Sequence, residues 1–162
     1  MSIHGPSALE SQRVVMKVDS EGTILTATNE EINNACDESA NTELVTTTNV
    51  ITATESGKTF VLNSATAFVS TLPALAVGLR YKFYCGATEV TGGNHTIVPT
   101  DDNTIHGECT VAGALVAAAD EGSINLVADK FIQGDWVEVF CDGVGWYVSG
   151  QVVTSGGCTF TT

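Results

Sequence analysis

The stretch that decides the fold is Gly134-Asp135-Trp136-Val137-Glu138-Val139-Phe140-Cys141-Asp142-Gly143-Val144-Gly145-Trp146-Tyr147-Val148-Ser149-Gly150. Trp136, Glu138 and Phe140 alternate with Val137, Val139 and Cys141, the two-residue period of a strand. Asp142-Gly143 tolerates positive φ and reads as a hairpin turn. Gly145 adds a second permissive position, suited to a bulge. Trp146-Tyr147-Val148 restarts the strand, so both Trp residues of the chain fall in one hairpin.

Upstream, Leu79-Arg80-Tyr81-Lys82-Phe83-Tyr84-Cys85 alternates in the same way. Leu79, Tyr81, Phe83 and Cys85 face one side, and Arg80, Lys82 and Tyr84 the other. Shorter strand-like runs surround these: Val50-Ile51-Thr52-Ala53, Phe60-Val61-Leu62, Phe68 to Leu72 ended by Pro73, Thr96-Ile97-Val98, Thr104-Ile105-His106-Gly107, Ser123 to Ala128 and Cys158-Thr159-Phe160. Strand centres 8 to 12 residues apart predict an all-β, antiparallel sandwich or barrel-like module over 50–162. Residues 1–49 read as an N-terminal arm, a hairpin (Arg13 to Val18, turn at Asp19 to Gly22, Thr23 to Ala27) and a short helix. Thr28 and Glu31 stand at capping-box spacing for that helix. No repeat of fixed period is present, which argues against a solenoid or propeller.

Composition limits the function. The 162 residues carry 19 Asp plus Glu against 6 Lys plus Arg, a formal charge of −13. A pI near 4.2 opposes direct binding to nucleic acid or to an anionic membrane, both of which need clustered cations. Charged residues are only 15% of the chain, and Thr, Ser, Asn and Gly fill the difference. The five cysteines, Cys36, Cys85, Cys109, Cys141 and Cys158, form no CxxC and suit a reducing cytoplasm of synthesis. The N-terminal residues show no signal-peptide pattern.

From Val50 onward the order of short motifs resembles a β-module of tailed-phage virions. It runs through Thr52-Ala53, Ser56-Gly57, Phe60, Leu62-Asn63, Thr71-Leu72-Pro73, Gly78-Leu79-Arg80-Tyr81, Phe83, Thr104-Ile105-His106-Gly107 and the Trp hairpin. Such modules occur in capsid decoration (cement) proteins and in fibre segments, commonly as homotrimers. The resemblance implies a structural virion protein at the capsid surface, with the major capsid protein and copies of itself as partners. Trp136, Phe140, Trp146, Tyr147, Arg80 and Lys82 are the residues expected at a trimer or partner interface. Arg13, Val15 and Lys17 are expected in a capsid-contacting arm. The alternative is a fibre or receptor-binding module in which Trp136, Trp146 and Tyr147, with acceptors such as Glu138, stack a cell-surface glycan. The absence of shaft repeats favours decoration.

No catalytic, metal or cofactor site is expected. His106 with Asp101 and Asp102 reads as a polar turn, since neighbouring strand residues point to opposite sides. His95 with Cys109 lacks a group to orient the imidazole. GxSxG, HExxH, P-loop and GxGxxG patterns are absent.

Overall fold

The computed structural model describes residues 39–162. The expected N-terminal hairpin, short helix and capsid-contacting arm (Arg13, Val15, Lys17) lie outside the described residues. The chain divides after Ala40, and Asn41–Thr162 forms one compact unit. That unit starts earlier than the expected boundary at Val50. Thr42–Val45, outside the expected β-module, is a strand paired with Thr59–Leu62.

Twelve strands follow in chain order: β1 (Thr42–Val45), β2 (Asn49–Val50), β3 (Thr59–Leu62), β4 (Val69–Thr71), β5 (Val77–Cys85), β6 (His95–Val98), β7 (Ile105–Val111), β8 (Ala114–Glu121), β9 (Ser123–Leu126), β10 (Trp136–Asp142), β11 (Trp146–Val152) and β12 (Cys158–Thr161). A short 3-10 turn, Ala53–Glu55, separates β2 from β3. The strands build a seven-stranded sheet, β1-β3-β5-β10-β11-β7-β8, and a five-stranded sheet, β12-β9-β6-β4-β2. The two sheets pack together as a sandwich and neither closes.

The all-β sandwich agrees with the sequence reading, but the sheets are mixed rather than antiparallel. β1, β3 and β5 are mutually parallel, as are β2, β4 and β6, and β11 runs parallel to β7. The first six strands alternate between the sheets, so the chain winds around the core. Thr42, Thr59 and Lys82 stand side by side, which makes the successive coils 17 and 23 residues long. Unequal coils carry no fixed period, so the winding left no repeat in the sequence. From β7 on, hairpins dominate: β7 with β8, and β10 with β11, antiparallel.

The Trp hairpin forms in the expected place, with Val139 opposite Val148 and Cys141 opposite Trp146. It inserts between β5 and β7 and joins the wound half to the hairpin half. The ladder irregularity lies between β10 and β5, at Phe140/Asp142. Buried Asp135 sets the entry to β10. Its carboxylate accepts the N–H of Ile132 at 3.0 Å and of Val153 at 2.9 Å, so a charge taken from water is met by backbone donors.

The core lies between the sheets. Phe60, Tyr81, Phe83, Val137, Val139, Trp146 and Val148 come from the larger sheet, and Ile97, Ile124 and Leu126 from the smaller. The rings of Phe60 and Phe83 stack at 5.4 Å, and Tyr81 meets Trp146 at 5.9 Å. The Tyr81 hydroxyl donates to the Thr52 carbonyl at 2.9 Å, and burial pushes its pKa up to about 12. Burying side chains of this size stabilises by about 1.5–3 kcal/mol each.

Candidate functional site

The outer face of the seven-stranded sheet carries the strongest concentration of binding-type side chains. The alternation that buries Leu79, Tyr81 and Phe83 leaves Arg80, Lys82 and Tyr84 facing out of β5. In β10 the same alternation turns Trp136, Glu138 and Phe140 outward. The register sets Trp136 beside Tyr84, Glu138 beside Lys82 and Phe140 beside Arg80. On the other flank β11 places Gln151, Ser149 and Tyr147 against the same three residues.

Within this grid the cations sit over rings. The Lys82 ammonium lies 4.3 Å from the Trp136 ring centroid and 4.8 Å from that of Tyr84. The Arg80 guanidinium carbon lies 5.6 Å from the Phe140 centroid, and its Nε is 3.3 Å from Glu138 Oε1. Each cation–π contact at an exposed site is worth about 0.5–1 kcal/mol. The exposed ion pair adds little, its side chains being 62% and 28% accessible. These contacts bias the side chains toward one arrangement before binding.

Five of the six residues expected at an interface lie on this face: Arg80, Lys82, Trp136, Phe140 and Tyr147. Trp146 does not. It is 0% exposed, on the inner face of β11 against Tyr81. Consecutive strand residues point to opposite sides, so Tyr147 faces out only if Trp146 faces in. The expected Trp136, Trp146, Tyr147 cluster is therefore divided between the surface and the core. Tyr84 takes the place beside Trp136. The sequence reading placed it on the Arg80 and Lys82 side of its strand without assigning it to the site, and the missing information was the register between β5 and β10.

At one end of the grid the hairpin turn is tied down by Asp142. Its carboxylate accepts from the N–H groups of Val144 (2.8 Å) and Gly145 (2.9 Å), and from the Tyr147 hydroxyl at 3.0 Å. Those backbone bonds, then the tyrosine, hold the Asp142 carboxyl below its ordinary pKa. The same hydrogen bond holds the Tyr147 phenol above its own.

Among the described residues no group of three or more His, Cys, Asp and Glu is placed to hold a metal ion. His106 has Asp120 at 3.9 Å, and its ring lies 6.0 Å from that of Tyr147. His95 is buried on β6, 4.0 Å from the Phe68 ring. Its Nε2 is 3.3 Å from the Thr66 carbonyl oxygen, and its Nδ1 has no partner. Burial lowers its pKa, so the imidazole is neutral. The Cys85 thiol donates to the Phe131 carbonyl at 3.3 Å, and burial pushes it up to about 12. Cys158 is raised by its hydrogen bond with Cys109 and by burial. Thiols raised in this way are poor nucleophiles.

No protein-family model, curated protein or solved structure matches the chain. What the site can do follows from its own geometry. It offers a strip of aromatic rings with one guanidinium and one ammonium group over them, on the outer face of a sheet, suited to docking against another surface.

Proposed function

We propose that the chain is a structural virion protein, a capsid decoration protein that binds and stabilises the capsid lattice. In this reading it acts as a homotrimer, with the major capsid protein as its partner and the capsid surface as its place. The mechanism is mass action. A protein that binds the assembled shell and not the free subunit stabilises the shell. The observation that carries the reading is the Arg80, Lys82, Tyr84, Trp136, Phe140, Tyr147 strip. Trp, Tyr and Arg are the side chains that dominate protein interfaces, and here they gather on one sheet face of an otherwise acidic chain. The order of motifs from Val50 onward supports the same reading, and no catalytic step is part of it.

The alternative, a fibre module that recognises a cell-surface glycan, would use the same strip. The ring contacts favour a protein partner. Lys82 already lies over Trp136 and Tyr84, where a sugar ring would stack. The test is co-sedimentation with capsids stripped of decoration protein, followed by thermal disassembly. Wild-type protein is expected to bind and raise the disassembly temperature. Trp136→Ala with Arg80→Glu is expected to weaken binding at least tenfold, as loss of one interface anchor does. Absence of capsid binding together with a specific hit on a glycan array would replace this reading by the alternative.

A further inference from the structure

Among the described residues, the longest edge of the sandwich is open over most of its length. β8 closes the seven-stranded sheet, and among the described residues no strand lies beyond it. Its sequence is Ala114-Leu115-Val116-Ala117-Ala118-Ala119-Asp120-Glu121, eight residues against four in β1, the opposite edge of that sheet. Edge strands are normally protected by Lys, Pro, shortness or a bulge. β8 has no Lys or Pro, and its one irregularity, opposite Ile105/Gly107, falls only at its acidic end. Leu115 is 66% exposed on it.

The hairpin fixes which backbone groups are free. Val111 and Ala114 flank a two-residue turn, Ala112-Gly113, in which both residues have positive φ. A turn of that kind makes the flanking residues a hydrogen-bonded pair. Val116 opposite Cys109 and Ala118 opposite Gly107 then bond inward, while the N–H and C=O groups of Leu115 and Ala117 point away from the sheet.

We propose that this edge pairs with the same edge of a second copy, antiparallel, about a two-fold axis at Val116. Leu115 then exchanges both main-chain hydrogen bonds with Ala117 of the partner, and Ala114 lies opposite the partner's Ala118. The strand complements itself in this register, and charge fixes the direction of the pairing. A parallel pairing would set Asp120 and Glu121 against their own copies, at a cost. The antiparallel register sets Asp120 opposite the partner's Ala112 and leaves an uncharged seam. Glu108, beside Ala117 on the outer face, meets the partner's Leu115 and not another acid. An isologous seam of this kind closes after two copies and does not propagate into a fibre. The pairing does not depend on the capsid reading or on the trimer.

The test is a cross-link in the full chain. Val116→Cys, in a Cys109→Ala background that removes the thiol opposite it in the same chain, places the two residue-116 positions as a non-hydrogen-bonded pair, whose short Cα separation suits a disulfide. Oxidised glutathione takes up the two thiol hydrogens and their electrons. A disulfide dimer on a non-reducing gel is expected for Val116→Cys and not for wild type. Adding Ala117→Pro removes only an outward N–H, so the β7 ladder persists, and the dimer is expected to fall about tenfold or more. Adding Leu115→Glu instead, at an exposed position that meets the partner's Glu108, sets like charges across the seam and is expected to lower it as well, with an unchanged melting temperature. No cross-link with Val116→Cys would overturn the proposal, as would one that both added substitutions leave intact. A trimer formed elsewhere on the molecule would alter neither reading.

Discussion

The two halves of the sandwich are built by opposite routes to one core. Over β1 to β6 the chain winds between the sheets, and neighbouring strands are parallel and distant in sequence. Over β7 to β12 hairpins supply many of the contacts, with β7 to β8 and β10 to β11 each joined by a short turn. Hairpins order few residues before they gain contacts. Winding must close loops of about twenty residues first, which costs more conformational entropy. The wound half therefore depends on the hairpin half to complete its layer, through β5 against β10 and β6 against β9. The seam at β5 and β10 is also where the candidate site lies.

The sharpest way to break this comparison is to empty the shared core from each side. Trp146→Ala in the hairpin half and Phe60→Ala in the wound half should each cost about 3–5 kcal/mol, as truncation of a fully buried large aromatic does. Guanidinium denaturation should show one transition for both variants. A second transition in either would mean that the halves do not share one cooperative core.

A smaller effect should come from the backbone at the parallel β7–β11 pair. Gly107 has φ near 113°, and a Cβ there would stand 2.3 Å from the Val148 carbonyl oxygen. Gly107→Ala should therefore cost about 2–4 kcal/mol, from positive φ and from crowding against backbone that cannot move aside. Hydrogen exchange at β7 and β11 should rise more than at β3. A variant of near wild-type stability would show that this pairing is looser than its geometry.

The smallest effect separates the halves by pH. Burial lowers the pKa of His95 in the wound half, so the unfolded chain binds its proton more readily. The stability conferred by the neutral imidazole is fully present above the ordinary histidine value of about 6.5 and is lost as pH falls below it. Melting temperature should fall through that range in wild type, and His95→Phe should flatten the slope. An unchanged slope in the variant would locate the acid sensitivity elsewhere.

How much was legible follows the same division. Alternation in Leu79 to Cys85 and in Trp136 to Cys141 gave the buried and exposed sides of β5 and β10, because one sheet face is buried and side chains repeat every two residues. Asp142-Gly143 marked its hairpin for a local reason, its tolerance of positive φ. β8 was missed. Its run of Ala and Val reads as a short apolar segment, and only the turn at Ala112-Gly113 marks it as a partner of β7. The winding was missed as well, since unequal coils leave no period and parallel pairing leaves no turn between the strands it joins.

The candidate site divides in the same way. Its residue types are legible in the sequence, but Trp146 parts from Tyr147 because adjacent strand residues face opposite sides, and Tyr84 joins Trp136 only through the register of β5 on β10. The sequence by itself determined most of the strands, the two faces of β5 and β10, the acidic composition and the absence of catalytic motifs. These depend on local periodicity and composition. Only the tertiary structure decided which strands are neighbours, that they run in mixed directions, that Lys82 lies between Trp136 and Tyr84, and that β8 is left at an edge. Register and strand order are set by packing between residues far apart in the chain, and no local pattern encodes them.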